Sequence, residues 1–331
     1  MLLAAFFSLE IYLQKDSTVK KYFVLFMPAI ILFFSCRKEK RSDKAAEKMR
    51  RFVEDIANYA RDYNSDFIII PQNGVELAFN NQNPNDGINE SYVSVVSGFG
   101  VEEVFYNGGY EPDNYRIELL KALPDSKQVL VSEYVKDNNN IADAISRVTA
   151  NGWLCFPRTA NNYYYQYIPD TVINENANDI TTLSQAKNYL YLISNDEYTS
   201  KQEMINAIAS TNFDVVLIDL FFGETAFTKS EIESLKTKTN GGKRLVISYI
   251  NIGAAENWRY YWKDDWKLHH PRWLKKPYKG YQDEIWVKFW KKDWQEIIYG
   301  NDNSYMKKIL DAGFDGAYLD NVEAYYFLYF D

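Results

Sequence analysis

Short runs of apolar, β-rich residues recur along this chain and are separated by segments with helical periodicity. The runs 67–70 (FIII) and 215–218 (VVLI) contain no polar residue. A run without polar alternation predicts a strand that is buried on both faces, and therefore a parallel sheet covered by helices. The predicted strands are 67–70, 103–106, 129–133, 153–156, 189–193, 215–219, 245–250, 285–289 and 317–320.

Amphipathic helices are predicted between these strands, at 44–63, 201–210, 230–238 and 304–312. Thr199 or Ser200 and Thr228 are suited to cap two of them, and Gly313 to end the last. About eight βα repeats in roughly 290 residues favour an α/β fold of the closed (β/α)8 TIM-barrel type, which needs about 250 residues. One predicted strand exceeds eight and is expected to be an extra or edge element. An open, doubly wound sheet is the alternative, but no G-x-G-x-x-G or Walker A sequence supports it.

The two ends of the chain are unusual for such a barrel. The last strand, 317–320, is followed only by a short aromatic segment, 325–330, so no terminal helix is predicted to cover it. The barrel closes only if helix 44–63, from the other end of the chain, supplies the missing cover. That arrangement is a circular permutation, which is feasible because the termini of a domain often lie close together at its surface.

Residues 1–40 are expected to be a leader, and residues 41–331 a single domain. The lysine pair at 20–21 precedes the apolar run 22–34, and Cys36 follows it. This order resembles a bacterial lipoprotein signal, in which Cys36 would carry the lipid. The expected location is then the cell envelope, anchored by lipid to the periplasmic or extracellular face of a membrane. The alternative is an uncleaved anchor, although the apolar run is shorter than the about 20 residues that span a bilayer.

The amino-acid composition disfavours several classes of function. Lys and Arg number 37 and Asp and Glu 45, and the net charge of -8 argues against a nucleic-acid partner. With Cys 2 and His 2, a disulfide framework, a His-rich metal site and a Ser-His or Cys-His nucleophile are all poor expectations. No metal or cofactor is therefore expected. Carboxylates and aromatic rings remain as the main chemical resources of the chain.

Several longer motifs resemble a known family. Residues 188–320 contain YLYLI, VVLIDLFF, KRLVISYINIGAAENWRYYW and GFDGAYLDNVEAY. They look like the N-terminal part of bacterial and archaeal glycosidases related to glycoside hydrolase family 114. Residues 45–158 contain FVEDIANYARDYNSDFIIIPQNGVEL, EEVFYNG, VLVSEYV and GWLCFPR, and they resemble the C-terminal part of that family.

The order of the two parts is inverted relative to the family. Residues 41–170 resemble its C-terminal part and residues 171–331 its N-terminal part, and joining Asp331 to Arg41 would restore a family-like sequence. A natural permutation and an assembly artefact at a gene junction are both compatible with this order. The family contains endo-α-1,4-polygalactosaminidases, so the resemblance implies a hydrolase of an extracellular polysaccharide that contains α-1,4-linked galactosamine.

Glycoside hydrolysis needs two carboxyl groups beside the scissile bond, one as acid and the other as nucleophile or base. The resemblance implies that Asp320 is one of them. The family's catalytic glutamate belongs to a later strand, which here contains 104–108 (VFYNG) and carries no acid at the equivalent point. Glu133 and Glu76, near the ends of other predicted strands, are the candidates for the second carboxyl group. The missing glutamate leaves another interpretation open, a catalytically inactive carbohydrate-binding lipoprotein with the same barrel.

Further side chains near strand ends are predicted to bind substrate. Asp219 ends strand 215–219, and the alternative is a structural acid held by backbone amides. Glu256 lies in the loop after strand 245–250, and the alternative is a salt bridge with Arg259. The predicted substrate-binding residues are Asp219, Tyr249, Glu256, Trp258, Gln72, Asn73, Tyr106, Asn107 and Asn321.

Overall fold

The computed structural model describes the backbone of residues 20–330 and the side chains of residues 37–330. The side chain of Cys36 and residues 1–19 of the predicted leader lie outside the described residues, so lipidation stays a prediction. Within the described part of the chain, none of the helices combines the length and the apolar character needed to cross a membrane.

The structure alternates strands and helices along most of the chain. The strands are β1 Ile68–Pro71, β2 Gly98–Tyr110, β3 Gln128–Val135, β4 Leu154–Arg158, β5 Tyr189–Leu192, β6 Val215–Asp219, β7 Phe221–Phe222, β8 Thr225–Ala226, β9 Leu245–Asn251, β10 Ala254–Glu256, β11 Leu274–Pro277, β12 Glu284–Val287 and β13 Gly316–Asp320. The α-helices are α1 Lys20–Arg61, α2 Glu90–Val95, α3 Asn114–Lys121, α4 Ile141–Thr149, α5 Lys201–Ala209, α6 Lys229–Leu235, α7 Lys292–Ile298, α8 Tyr305–Asp311 and α9 Ala324–Phe327. Short 3-10 helices lie at Val75–Ala78, Asn80–Gln82, Pro84–Asp86, Asn138–Asn140 and Leu183–Gln185.

Most of the strands run parallel, as the continuous apolar runs predicted. One parallel sheet is 5-stranded, in the order β1-β13-β9-β6-β5, and the other is 3-stranded, in the order β2-β3-β4. Every residue of β5, β6 and β9 is buried, because neighbouring elements cover both faces of these strands. The fold is therefore a mixed α/β fold built on parallel sheets.

The two parallel sheets contact each other at two edges. Gln72, directly after β1, forms a parallel bridge to Gly100 of β2, and the Asn73 N–H donates to the Gly100 carbonyl at 2.7 Å. At the other edge, β4 and β5 meet through the rings of Phe156 and Tyr189, whose centroids are 5.7 Å apart. These contacts are consistent with a TIM-barrel-like architecture. They also bring the carboxyl ends of β13 and β1 beside Gly100 of β2.

The predicted strand 285–289 belongs to neither parallel sheet. It is observed as β12, the central strand of a small antiparallel sheet in the order β10-β12-β11. The Val287 N–H donates to the Gly253 carbonyl at 3.0 Å, so this sheet is attached directly after β9. It accounts for the strand that exceeded eight, and it places the start of β12 near the carboxyl end of β9.

Helix α1 is longer than the predicted helix 44–63, and its second half packs on the other end of the chain. Ser42 Oγ donates to the Tyr325 carbonyl at 3.1 Å, and Phe52 stacks on Phe289 with ring centroids 6.2 Å apart. The strand β13 is followed only by the short helix α9, of 4 residues. The covering role predicted for the first helix is therefore compatible with its observed position.

The predicted helix caps are confirmed. Ser200 caps α5 by accepting the Glu203 N–H at 3.2 Å. Thr228 and Glu231 form a capping box at the start of α6. Gly313 follows α8 with a φ of 82°, a conformation that glycine adopts without strain. These local signals set the ends of the helices before any tertiary contact is considered.

Candidate active site

Acidic side chains converge where β13, β1 and β2 lie side by side. Asp320 is the last residue of β13, Gln72 follows β1, and Glu102 lies within β2. β1 pairs with β13, and Gln72 bridges to Gly100 of β2, so these three positions are neighbours. The acid cluster consists of Asp320, Glu102, Glu284 and Glu323.

The residue that follows each of these three strand positions has an unusual backbone conformation. Asn73, Glu103 and Asn321 have φ values of 58°, 55° and 59°, in the left-handed region that residues other than glycine rarely occupy. Such conformations cost about 1–3 kcal/mol each and cluster at functional sites. Their occurrence at three neighbouring strands marks this edge of the sheet as the functional edge.

Asp320 is partly exposed and is held by two donors. The Tyr249 hydroxyl donates to its Oδ2 at 2.5 Å, and the Asn321 N–H donates to its Oδ1 at 2.6 Å. Burial raises the pKa of Asp320 to about 7; the charge of Glu102 adds to the rise, and the Tyr249 hydrogen bond opposes it. A carboxyl group with a pKa near 7 can both give and accept a proton at neutral pH.

Glu102 has a cation beside it. The Tyr165 hydroxyl donates to Glu102, and the guanidinium of Arg158 pairs with the adjacent Glu103. Burial raises the pKa of Glu102, whereas the Tyr165 hydrogen bond and the Arg158 charge oppose that rise. Of the two carboxyl groups, Glu102 is therefore the one whose surroundings better stabilise a negative charge.

A third acid reaches the site from the antiparallel sheet. Glu284, at the start of β12, accepts a hydrogen bond from Asn251 Nδ2 at 3.1 Å, and Asn251 pairs with Asp320 across β9 and β13. Burial, together with the charges of Glu256 and Asp320, raises the pKa of Glu284 to about 9. The Glu284 carboxyl therefore holds a proton at neutral pH and can donate a hydrogen bond.

The predicted candidate Glu76 lies near the fourth member of the acid cluster. Glu323, the N-cap residue of α9, has a pKa that burial raises to about 7. The charge of Arg116 opposes this rise, and the charge of Glu76 adds to it. Glu76 thus influences the acid cluster through the effect of its charge on the pKa of Glu323.

The other candidate, Glu133, has a different environment. Its carboxylate accepts hydrogen bonds from the N–H groups of Phe105 at 3.0 Å and Tyr106 at 2.9 Å, and the residue is fully buried. The pairing of β2 with β3 shifts register in this stretch, so the carboxylate satisfies amides at a bulge. Burial raises the pKa of Glu133 to about 7 against these hydrogen bonds. Asp320 is therefore accompanied by Glu102, and Glu133 is hydrogen bonded within the sheet.

Glu102 is the acid that sequence reasoning missed. The strand was predicted over 103–106, but it begins at Gly98 and includes Glu102. Gly100 is required because a Cβ there would lie 2.0 Å from the Tyr318 hydroxyl oxygen. The glycine therefore marks a close approach inside the fold, not a break in the strand. Alternation along the longer strand places Glu102 on the same face as Gly100, and this signal could have identified it.

Asp219 and Glu256 are joined by an arginine. Arg259 donates to the two oxygens of Asp219 at 2.9 and 2.6 Å and to Glu256 Oε2 at 2.8 Å. Asp219 also accepts the Phe221 N–H at 2.8 Å. Asp219, Glu256 and Arg259, here called the arginine-bridged pair of acids, are 7%, 3% and 5% exposed. Glu256 thus forms the salt bridge that was its alternative, and the positive charge compensates both acids.

The predicted binding residues Tyr249, Gln72, Asn73 and Asn321 lie at the acid cluster. Asn321 Nδ2 is 3.4 Å from Asp320 Oδ2. Gln72 is 5% exposed, and its Oε1 accepts the Tyr191 hydroxyl at 3.2 Å. Among the described residues, Asn73 Oδ1 is a buried oxygen without a hydrogen-bond partner, so it is available to a bound molecule.

Tyr106, Asn107 and Trp258 have other surroundings. The Tyr106 hydroxyl donates to Asp143 of α4 at 2.5 Å, which directs it toward that helix. Asn107 is exposed and pairs with β3 beyond the register shift. Trp258 is 56% exposed, with the Arg259 guanidinium 3.9 Å from its ring centroid. Within the described residues, none of these three side chains is hydrogen bonded to a carboxyl group of the acid cluster.

Glycoside hydrolysis requires two carboxyl groups, and strands β13 and β2 supply Asp320 and Glu102 at one edge of the sheet. The fold and the site thus have the features of a glycoside hydrolase. The model of Glycoside-hydrolase family GH114 matches residues 146–328, more than half of the 331-residue chain, and the chain belongs to this family. The resemblance indicated by the motifs is confirmed. Asp320 lies within the matched residues, and Glu102 precedes them.

Curated relatives match shorter segments. An uncharacterized protein of Methanocaldococcus jannaschii is 34% identical over 153 residues, which are 45% of this chain and 41% of the relative. An uncharacterized protein of Thermotoga maritima is 29% identical over 138 residues, 42% of this chain and 39% of the relative. A third, from Deinococcus radiodurans, is 30% identical over 125 residues, 38% of each chain. The chain thus spans about two fifths of the length of the curated relatives it matches.

Proposed function

We propose that this protein hydrolyses a polysaccharide with Asp320 and Glu102 as the catalytic carboxyl pair. The observation that carries the proposal is their common environment. Both are partly buried on the strands that flank β1, both accept a hydrogen bond from a tyrosine hydroxyl, and both precede a residue with positive φ. Glu102, two residues before the segment 104–108 in the same strand, thereby supplies the acid that this segment lacks.

The two carboxyl groups differ in their surroundings, and this difference assigns their roles. Asp320, with a pKa of about 7, gives its proton to the glycosidic oxygen. The bond between that oxygen and the anomeric carbon breaks, and its electron pair passes to the oxygen. The ionised form of Glu102, which the charge of Arg158 and the Tyr165 hydrogen bond stabilise against burial, acts at the anomeric carbon as nucleophile, or as base toward the attacking water.

The acids of the site favour a cationic substrate. Burial and the charges of neighbouring acids raise the pKa of each carboxyl group of the acid cluster. An ammonium group on the substrate would favour the ionised forms of these carboxyl groups. Polymers that contain α-1,4-linked galactosamine fit this requirement, and they are the substrates implied by the family resemblance.

We further propose that the parallel strands close into a (β/α)8 barrel in permuted order. The bridge from Gln72 to Gly100 and the contact of Phe156 with Tyr189 support closure at the two edges between the sheets. The packing of α1 on the segment after β13 supports the permutation. In this arrangement residues 41–170 supply Glu102 and residues 171–331 supply Asp320. The lipid anchor at Cys36 and a location in the cell envelope are proposed from the sequence pattern at 20–36 alone.

The test is incubation of the protein with de-N-acetylated α-1,4-galactosamine polymer and with neutral glycans, followed by sizing of the products. We expect shortened chains from the cationic polymer and none with the Asp320→Asn variant. Cleavage of a neutral glycan alone would contradict the cationic substrate. Binding of a glycan without cleavage would contradict the hydrolase and support the catalytically inactive carbohydrate-binding lipoprotein.

A further inference from the structure

A tyrosine-rich loop after β4 is attached to both acids of β2. This loop, residues 161–167 and here called the tyrosine loop, has the sequence NNYYYQY. The Tyr163 hydroxyl donates to Glu103 Oε1 at 3.0 Å, and the Tyr165 hydroxyl donates to Glu102. The Tyr165 ring also stacks on Tyr191, with centroids 3.7 Å apart. The loop is therefore fixed at two points next to the catalytic glutamate.

The antiparallel sheet carries a second group of tyrosines beside Asp320. The Tyr278 hydroxyl donates to Asn321 Oδ1 at 3.2 Å, and its ring stacks on Trp286 with centroids 4.1 Å apart. Tyr281 packs edge-on against Tyr278 at 4.9 Å. Each tyrosine group is thus hydrogen bonded to the residue that follows one of the two catalytic carboxyl groups.

The two tyrosine groups lie on either side of the acid cluster, because Tyr163 is hydrogen bonded to Glu103 of β2 and Tyr278 to Asn321 after β13. Burial, followed by the charges of Glu102, Glu284 and Asp320, raises the pKa of Tyr281 to about 12, and Tyr164 of the tyrosine loop contributes to the same rise. Because β1 lies between β2 and β13, the positions to which the two groups are attached are two strand spacings, about 10 Å, apart at the same edge of the sheet.

Tyr164 is the member of the tyrosine loop whose ring is free to bind a molecule. It is 56% exposed, between two tyrosines whose hydroxyls are engaged. Within the part of the chain that the structure describes, no aromatic ring packs on Tyr164. Because its neighbours already hold the loop, binding at this ring orders little additional chain.

We propose that Tyr164 and Tyr281 form a stacking subsite for a pyranose ring of the polysaccharide, adjacent to the bond that Asp320 and Glu102 cleave. A tyrosine ring offers a flat apolar face and a polar edge, which match the C–H face and the hydroxyl rim of a sugar ring. The proposal rests on the proposed function. It deepens that function by naming the residues that hold the chain beside the scissile bond.

The experiment compares Tyr164→Ala, Tyr164→Phe and Tyr281→Ala with a control, Tyr63→Ala. Tyr63 is 54% exposed, matching Tyr164, and lies before β1, at the opposite ends of the strands. The readouts are KM and kcat on the α-1,4-galactosamine polymer. The affinity for a galactosamine hexamer is measured in the Asp320→Asn background.

We expect Tyr164→Ala and Tyr281→Ala each to raise KM and the hexamer Kd by about tenfold while kcat changes little. Tyr164→Phe keeps the ring and should stay within about twofold of wild type, as should Tyr63→Ala. Unchanged KM and Kd in both alanine variants would overturn the stacking subsite while the hydrolase stands. A wild-type protein that neither binds nor cleaves the polymer would overturn both proposals.

Discussion

The acid cluster and the arginine-bridged pair of acids are two groups of carboxylates near the carboxyl ends of parallel strands. Arg259 compensates Asp219 and Glu256, and all three side chains are buried. Asp320, by contrast, accepts hydrogen bonds only from neutral donors among those described, and it faces other acids. The first group is held together by ion pairs with Arg259, and the second consists of acids whose pKa values are raised by burial and by one another.

A position at the end of a parallel strand therefore does not by itself show whether an acid has a structural or a catalytic role. Arg259 opposes the rise that burial causes in the pKa of Glu256, and its ion pairs hold the three buried side chains in place. A carboxyl group that is buried among other acids keeps its proton to higher pH and can transfer it. The identity of the partner therefore distinguishes the two groups, and the following predictions test that distinction.

The largest expected effect is on catalysis. Asp320→Asn and Glu102→Gln should each lower kcat by about 10²–10⁴-fold, because each removes a proton-transfer or charge-stabilising group. Hydrolysis rates on the galactosamine polymer, with circular dichroism to verify folding, provide the measurement. Full activity in either variant would show that the pair is assigned incorrectly.

The arginine-bridged pair should respond in stability. Arg259→Met leaves Asp219 and Glu256 buried without their cation and should cost about 3–5 kcal/mol of unfolding free energy. Urea denaturation measures this loss. The matched control is the triple variant Arg259→Met, Asp219→Asn, Glu256→Gln, which removes the charges together and should recover much of it. A single variant as stable as wild type would mean that the network is not structural.

Glu133 tests whether a buried strand acid outside the cluster matters for chemistry. Glu133→Gln weakens the acceptor for the Phe105 and Tyr106 amides and should cost about 1–3 kcal/mol of stability. The kcat of the folded enzyme should stay within about twofold of wild type. A loss of kcat comparable to that of Glu102→Gln, without a loss of stability, would show that Glu133 is a catalytic acid.

The last prediction concerns the pH dependence that Glu284 gives to stability. Its pKa rises from 4.5 to about 9 on folding, so the native state retains the proton while the unfolded state loses it. The contribution of this group is complete below pH about 4.5 and is lost as pH rises toward about 9. Glu284→Gln lacks this loss, so its Tm relative to wild type should increase from pH 5 to pH 9. A Tm difference that is constant across this range would contradict the protonated state.

Much of the fold could be predicted from local pattern. The parallel strands follow from runs such as 215–218, and the caps at Ser200 and Thr228 follow from side chains that satisfy free amides. Strand 285–289 was also predicted, but its membership of a separate antiparallel sheet was not. Strand pairing depends on contacts between residues that are distant in sequence, and an apolar run does not indicate which strand it will pair with.

The candidate site was predicted in part. Asp320 was identified from its motif and its strand end, and Tyr249, Gln72 and Asn321 lie near it as expected of binding residues. Glu102 was missed because the strand was predicted to begin at residue 103, whereas it begins at Gly98. Glu133 was chosen instead, although its carboxylate is hydrogen bonded to strand amides. Neither the Tyr318 ring over Gly100 nor the bulge in β2 has a local signature in the sequence.

The amino-acid sequence by itself determined the strands, the helix ends, the family and the carboxylate at Asp320. These features depend on the periodicity of side chains and on residues close together along the chain. The tertiary structure decided which acids lie close together, which acids form ion pairs with Arg259 and which acids have raised pKa values. Electrostatic interaction and burial act through space, so the chemistry of a carboxyl group depends on neighbours that the order of residues does not reveal.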